Sequence, residues 1–288
     1  MQVTFYGVRG SIPTPGPSTM RYGGNTLCVG VRTLDGTLLI LDAGTGLRVL
    51  GQELMAAPLP EAIHVFVTHK HWDHIMGAPF FGPLWRPQAR IVLHALSPRA
   101  QTGLARLVLF DGEHFPVRAQ DIPAQLERPP FTEPRIRLGS AVVSQIPLNH
   151  PGGADGFRID DADGASVCYL TDNELHPPGP VTTSADSLAR FAAGTGLLIH
   201  DAQYLPEEMA AKRGWGHSAV DDVLELGLCA GARTVALIHH DPMRTDEALD
   251  AIADRARAWA SARVPGMTSL VAAEGLALQL PGRDGISS

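Results

Sequence analysis

Cysteine is scarce in this chain: three in 288 residues, at positions 28, 168 and 229. So small and odd a number argues against a disulfide framework, and none of the three sits at metal-ligand spacing. Basic residues are also few. Lys and Arg total 23 against 30 Asp and Glu, for a net charge of −7, and no basic run occurs. A protein gripping a long nucleic acid is expected to carry a positive patch that neutralises several phosphates, so the expected substrate is small. No apolar stretch approaches the roughly 20 residues that span a bilayer, which argues against a membrane partner. The opening Met-Gln-Val-Thr-Phe-Tyr lacks the basic and apolar regions of a signal peptide, so the expected location is cytoplasmic. No Pro/Gly/Ser linker divides the chain. Residues 1–288 therefore read as one domain, and 44% hydrophobic content is enough for a large core.

Histidine is what the chain has instead. Residues 68–74 read Thr-His-Lys-His-Trp-Asp-His and follow the apolar run Ile63-His64-Val65-Phe66-Val67. Three imidazoles and a carboxylate thus fall within His69–His74, a pattern expected by chance on the order of once in a thousand chains of this composition. Neutral imidazole suits zinc and its transition-metal neighbours, and the carboxylate adds charge for a second cation. Other metal-seeking residues each follow a β-like run. Val142–Ile146 leads to His150, Ser166–Leu170 to Asp172, Leu197–Ile199 to His200 and Asp201, and Thr234–Ile238 to His239. Such continuous apolar runs are expected of strands buried on both faces. If their carboxyl ends share one sheet edge, these side chains meet where ligands usually bind.

The coarse organisation is β/α alternation. Strands are expected at Val3–Tyr6, Thr26–Val31, Leu38–Leu41, Ile63–Val67 and Arg90–Leu93, with a short helix over Gly46–Leu54. The theme repeats from Ala141 to Leu280. Helices fall near Asp186–Ala193, Ser218–Ala230 and Thr245–Ser261, and final strands near Ser269–Val271 and Leu276–Leu280. Thr245 is a plausible N-cap, and Leu249, Ile252, Ala253 and Ala256 share one face. Ser218-Ala-Val-Asp221 resembles a capping box. The glycine-rich Gly7–Pro13 and Arg21–Thr26 segments read either as turns or as a phosphate cradle, without the strand-loop-helix context of a nucleotide fingerprint. The Pro- and aromatic-rich 82–134 stretch, with Trp85, Phe110, Phe115 and Phe131, reads as a lid or a homodimer contact, with surface packing the plain alternative. His114 and Phe115 within it are placed to approach substrate, while His64, His94, His176 and His240 read as structural.

From Gly7-Val8-Arg9-Gly10-Ser11 to His239-His240-Asp241-Pro242 the chain resembles the metallo-β-lactamase superfamily. The branch it resembles holds the binuclear phosphodiesterases, among them ribonuclease Z, phosphonate-pathway phosphodiesterases and bacterial proteins described as cyclic-nucleotide phosphodiesterases. The resemblance implies an α/β fold, a four-layer αββα sandwich with the metal site at the sheet edge. It implies that His69, His71 and His150 hold one divalent ion, that Asp73, His74 and His239 hold another, and that Asp172 bridges the pair. Zinc is the first choice, with manganese or iron on the same ligands. Asp42 matches the first acidic motif, where a carboxylate supports metal-bound histidines. Asp172 stands where the best-known class B β-lactamases carry cysteine, which disfavours lactamase activity.

A further pair separates branches. His200-Asp201-Ala202-Gln203-Tyr204 resembles the His-Glu-Ala-Thr-Phe segment of ribonuclease Z, and Gly216-His217-Ser218 its Gly-His-Ser segment. By that likeness Asp201 orients His217, and His217 protonates the departing alkoxide; Asp for Glu at 201 shortens the reach by one methylene. Asp73, Asp201 and His217 are the implied catalytic residues. The expected reaction is hydrolysis of a small phosphodiester such as a cyclic nucleotide, by a metal-bridging hydroxide, with inversion at phosphorus. The basic tRNA-binding arm of ribonuclease Z has no counterpart here. The alternatives are a metallo-hydrolase of a carbon ester, lactone or thioester, and a binding module that kept the fold.

Overall fold

The computed structural model describes residues 1–95, 97, 110–113, 115–130, 132–264 and 266–282. Two sheets dominate, each of seven strands among the described residues. In chain order the first holds β1 (Gln2–Gly7), β2 (Cys28–Arg32), β3 (Leu38–Leu41), β4 (Ile63–Phe66), β5 (Arg90–His94), β6 (Gln125–Glu127) and β14 (Ala277–Gln279). The second holds β7 (Arg135–Leu138), β8 (Ala141–Leu148), β9 (Ala154–Asp160), β10 (Ser166–Leu170), β11 (Leu197–Asp201), β12 (Thr234–Ile238) and β13 (Thr268–Val271). Strands β3 to β6 run parallel, as do β10 to β13.

The apolar runs are continuous because both faces of each sheet are covered. Leu39, Leu41, Val167, Tyr169, Leu197 and Ile199 turn between the sheets, where they meet Phe5, Phe66 and Phe157. Their neighbours Leu38 and Ile40 pack outward under helix α1 (Gly46–Met55). Cys168, Leu170 and Leu198 pack outward under α3 (Ala185–Phe191), α5 (Val220–Ala230) and α6 (Asp246–Arg263), α4 being the single turn Met209–Lys212. Helix, sheet, sheet, helix is therefore the layer order, the four-layer αββα sandwich of the expectation. Thr245 caps α6, its Oγ1 accepting from the Ala248 N–H at 3.3 Å, and Leu249, Ile252, Ala253 and Ala256 are buried.

Two expectations need correcting. The last strand does not extend the second sheet; β14 crosses back to pair with β1, Val3 facing Leu278. Local pattern specifies a strand but not its distant partner. Ser218 does not cap α5 either. The N-cap is Ala219, and Ser218 Oγ instead donates to the Asn173 carbonyl at 2.6 Å and accepts from the Leu175 N–H at 3.1 Å. Within the stretch expected to be a lid or dimer contact, β5 and β6 are ordinary sheet strands, while residues 96 and 98–109, His114 and Phe131 lie outside the described residues. No helix among the described residues is long and apolar enough to cross a membrane.

The remaining histidines divide as their surroundings dictate. His240 is buried and its Nε2 donates to the Ala272 carbonyl at 2.8 Å; His176 is exposed. His64 Nδ1 meets His94 Nε2 at 2.9 Å, and His94 stacks on Phe66 with centroids 4.6 Å apart. Burial, then the neighbouring His64, pushes His94 down to about 3. The fold thus favours the neutral ring, and as pH falls below the unfolded value of 6.5 the unfolded chain takes up a proton that native His94 refuses. Stability from this residue is lost between about 6.5 and about 3. His94→Phe keeps the stack and removes the titration, so urea unfolding should show the variant losing about 2 kcal/mol less than the parent between pH 7 and 5; equal losses would refute the assignment.

Candidate metal centre

The strand ends build the site. β3 and β4 are parallel neighbours, as are β10, β11 and β12, so the residues just past these strands emerge on a common edge. Asp42, Asp172 and His239, immediately after β3, β10 and β12 or one residue beyond, have φ of 63°, 60° and 58°. Left-handed backbone is unusual outside glycine, although Asp and His tolerate it better than most residues, and such strain gathers at functional sites. Past β4 the chain bends at Thr68 and is extended at His71 (φ −63°, ψ 150°), and the rings of His69 and His71 lie together with centroids 4.4 Å apart. The short helix α2 (Trp72–Ile75) then turns Asp73 and His74 inward and leaves Trp72 outside.

Asp172 lies at the middle. Its Oδ2 is 3.5 Å from His69 Nε2 and 3.6 Å from His150 Nε2. Its Oδ1 is 3.2 Å from both His74 Nε2 and His239 Nε2. Asp73 Oδ2 closes the second group, 3.4 Å from His74 Nε2 and 3.2 Å from His239 Nε2. In the first group His71 Nδ1 approaches His150 Nε2 to 3.1 Å. The seven residues expected as metal ligands therefore meet in one cradle: His69, His71, His150 and Asp172 form one group of metal-seeking atoms, Asp73, His74 and His239 a second, and Asp172, His217 and His239 a third that overlaps both.

Donor chemistry tests whether cations suit this cradle. His74 Nδ1 donates to Asp42 Oδ2 at 2.9 Å, His239 Nδ1 to Gln203 Oε1 at 2.8 Å, and His150 Nδ1 to the Gly216 carbonyl at 3.0 Å. Each contact fixes the tautomer that turns an Nε2 lone pair inward. Buried His69 Nε2 and His74 Nε2 have no hydrogen-bond partner among the described residues. Burial pushes His69 and His150 below the usual imidazole range, favouring the neutral, ligating form. Burial also disfavours charge on His74 and His239, but Asp172 and Asp73 outweigh it and hold their protons more tightly. For Asp172 and Asp73 the facing histidines overcome burial and keep both carboxylates ionised. Inward lone pairs around two buried carboxylates fit divalent cations, which would displace the protons.

A second ring of residues holds the first. Asp42, fully buried, accepts from the Thr68 N–H at 2.8 Å and the Tyr169 hydroxyl at 2.8 Å as well as from His74. The Ser11 N–H donates to Asp73 Oδ2 at 2.7 Å. Arg9 is wholly buried and donates to the carbonyls of Gly23 at 2.8 Å and Arg244 at 2.8 Å, stitching that N-terminal loop to the chain beyond β12. Asp201 lies under His217, Oδ2 3.4 Å from its Nδ1, while accepting from the N–H groups of Asn173 at 2.9 Å and Ser218 at 3.0 Å. At that distance no hydrogen bond forms: buried His217 Nδ1 has no hydrogen-bond partner among the described residues, as the shorter Asp side chain leads one to expect. His217 is buried and stacks on His239, centroids 4.6 Å apart.

Glu174, Gln203 and Ser11 were not singled out from the sequence. Gln203 lies inside the His200–Tyr204 motif, which is a usable signal; Ser11 acts through its backbone and leaves none. Glu174 is 1% exposed and accepts from the Gly214 N–H at 2.9 Å and the Gly216 N–H at 3.0 Å. It clamps the turn that delivers both His217 and the carbonyl on His150. Gly216 itself has φ of 87°, and a Cβ there would lie 2.2 Å from His150 Nδ1.

Sheet order, layer order and this edge-on cradle define a protein of the metallo-β-lactamase fold. Residues 37–240 match the family described as the beta-lactamase superfamily domain, and the chain belongs to that family. It is 27% identical over 307 residues to ribonuclease Z of Haloarcula marismortui, covering 89% of this chain and 91% of that protein. Among solved structures, the short form of human tRNase Z superposes with a TM-score of 0.65 at 19% identity, covering 98% and 100% of the two chains. A diphosphatase of the PhnP family gives 0.67 at 20% identity, covering 96% of each. Within that family the chain is similar in sequence to ribonuclease Z and in fold to tRNase Z and the PhnP-family diphosphatase.

Glu174→Ala removes both acceptors of the Gly214 and Gly216 N–H groups, so in a competition between added zinc and a chelator the ion bound against His150 should weaken about 10- to 100-fold, because the carbonyl orienting that ring loses its anchor. The other ion should move less than about threefold. Equal weakening of both, or of neither, would contradict this placement.

Proposed function

We propose that this protein is a metal-dependent phosphodiesterase acting on a small diester, with cyclic nucleotides the first candidates. One observation carries the reading: the two oxygens of Asp172 each face a separate imidazole group, which favours a pair of ions over one. His69, His71 and His150 would hold one ion and Asp73, His74 and His239 the other, with Asp172 between them. Such a pair, zinc for a histidine-rich shell, supplies a water of lowered pKa and neutralises the charge of the non-bridging phosphate oxygens.

The chain's own residues do the rest. His217 is the proton donor. Its Nδ1 faces Asp201, and a ring nitrogen lies within 4.8 Å of a metal-seeking atom on Asp172 and on His239, so a phosphate held by the ions would lie beside it. An imidazole is suited to give a proton near neutral pH to an alkoxide that would otherwise leave unprotonated. Asp201 acts through His217, and the N–H groups of Asn173 and Ser218 keep its carboxylate aimed. Asp73, held by the Ser11 N–H, would hold the second ion on the side of the cradle that His217 faces.

The ribonuclease Z relatives favour a second reading, cleavage of RNA. The net charge of −7 and the absence of a basic run weigh against a long RNA. Zinc-loaded protein should hydrolyse bis-p-nitrophenyl phosphate and lose at least about 100-fold in rate on chelation. A lactone or thioester turned over in place of any phosphodiester would overturn the proposal, and a precursor tRNA cut faster than cyclic nucleotides would select the second reading. His217→Ala should cost about 100- to 10,000-fold on diesters with alkyl leaving groups and far less on p-nitrophenyl esters. Equal losses on both would remove its role as acid.

A further inference from the structure

Beside the cradle lies a cleft of roughly 370 Å³, walled by Pro13, Pro15, Asn25, Arg48, Gly77 and Phe80. Its size falls near the small end of ligand sites. Two chain segments tie it to the metal centre. Ser11, whose N–H holds Asp73, precedes Pro13 by two residues, a span of at most about 7 Å. Gly77 comes three residues after His74, at most about 11 Å away, and its N–H donates to the Ala43 carbonyl at 2.9 Å, next to Asp42. By chain length, walls of the cleft therefore lie within about 11 Å of residues that build or hold the cradle.

Its walls offer three different handles. Arg48 is exposed and makes no ion pair among the described residues, so its guanidinium fork is free to donate. Asn25 is fixed from behind, its Nδ2 donating to Glu274 Oε2 at 2.9 Å, which leaves Oδ1 as an acceptor. Phe80 is 61% exposed, and Phe115 meets its ring edge-on at 5.9 Å. A hydrocarbon needs neither fork nor amide, and a second phosphate would call for more than one cation. A planar ring with polar edges uses all three: its face stacks on Phe80, its acceptors meet Arg48 as guanine O6 and N7 do, and an exocyclic amine reaches Asn25.

We propose that this cleft binds the purine ring of a nucleotide whose phosphate sits at the metal centre. The proposal rests on the phosphoester reading above. Calorimetry on zinc-loaded protein compares GMP with ribose 5-phosphate, which carries the phosphate without the base. GMP should bind at least about tenfold more tightly, and Arg48→Ala and Phe80→Ala should each shrink that ratio to about threefold or less. Both positions are exposed, so neither change threatens the fold. A ratio near one in the parent, or an unchanged ratio in either variant, would overturn the purine site while leaving the phosphoester reading intact. Failure of both compounds to bind would overturn the phosphoester reading and this proposal with it.

Discussion

One carboxylate shared by two groups of imidazoles organises this molecule. Asp172 is 2% exposed, lies just past a strand buried on both faces, and adopts a left-handed backbone conformation that aims its two oxygens in different directions. A buried carboxylate is costly unless compensated, and here its neighbours are histidine nitrogens and a second carboxylate, Asp73, that adds to the negative charge. Protons on His74 and His239 can balance that charge; cations balance it better and satisfy the orphaned nitrogens of His69 and His74.

The turn that carries Asp172 also governs what surrounds it. Within four residues it sends Asp172 to the imidazoles, the Asn173 N–H to Asp201, the Glu174 carboxylate to the loop at Gly214 and Gly216, and the Leu175 N–H to Ser218. The metal cradle and His217 are thereby built on one rigid piece of backbone. Displacing the end of β10 would disturb both, which explains why so many polar groups there are buried and partnered.

Much of this was legible because the signals are local. His69, His71, Asp73 and His74 share six positions, and Asp172 and His239 each come after an apolar run buried on both faces in a parallel strand, whereas His150 follows β8, an antiparallel strand that is only partly buried. The four helices expected and the N-cap at Thr245 follow from 3.6-residue spacing and capping chemistry. What stayed hidden depends on distant partners. The return of β14 to β1 is a choice of neighbour, not of local conformation, and the Ser218 hydroxyl left its expected cap because the β10 turn offered a buried carbonyl. Glu174 and Ser11 work through backbone N–H groups, which no side-chain pattern reveals. Likeness brings Asp201 and His217 together, but at 3.4 Å the expected hydrogen bond is not made among the described residues, consistent with the shorter acid.

The central claim is that one cradle holds two cations on either side of Asp172. Anomalous X-ray scattering from crystals grown with zinc measures this directly. The account predicts two peaks roughly 3.5–4 Å apart, one against His69, His71 and His150 and one against Asp73, His74 and His239, with Asp172 touching both. A single peak, or two peaks that leave Asp172 bound to only one, would contradict it.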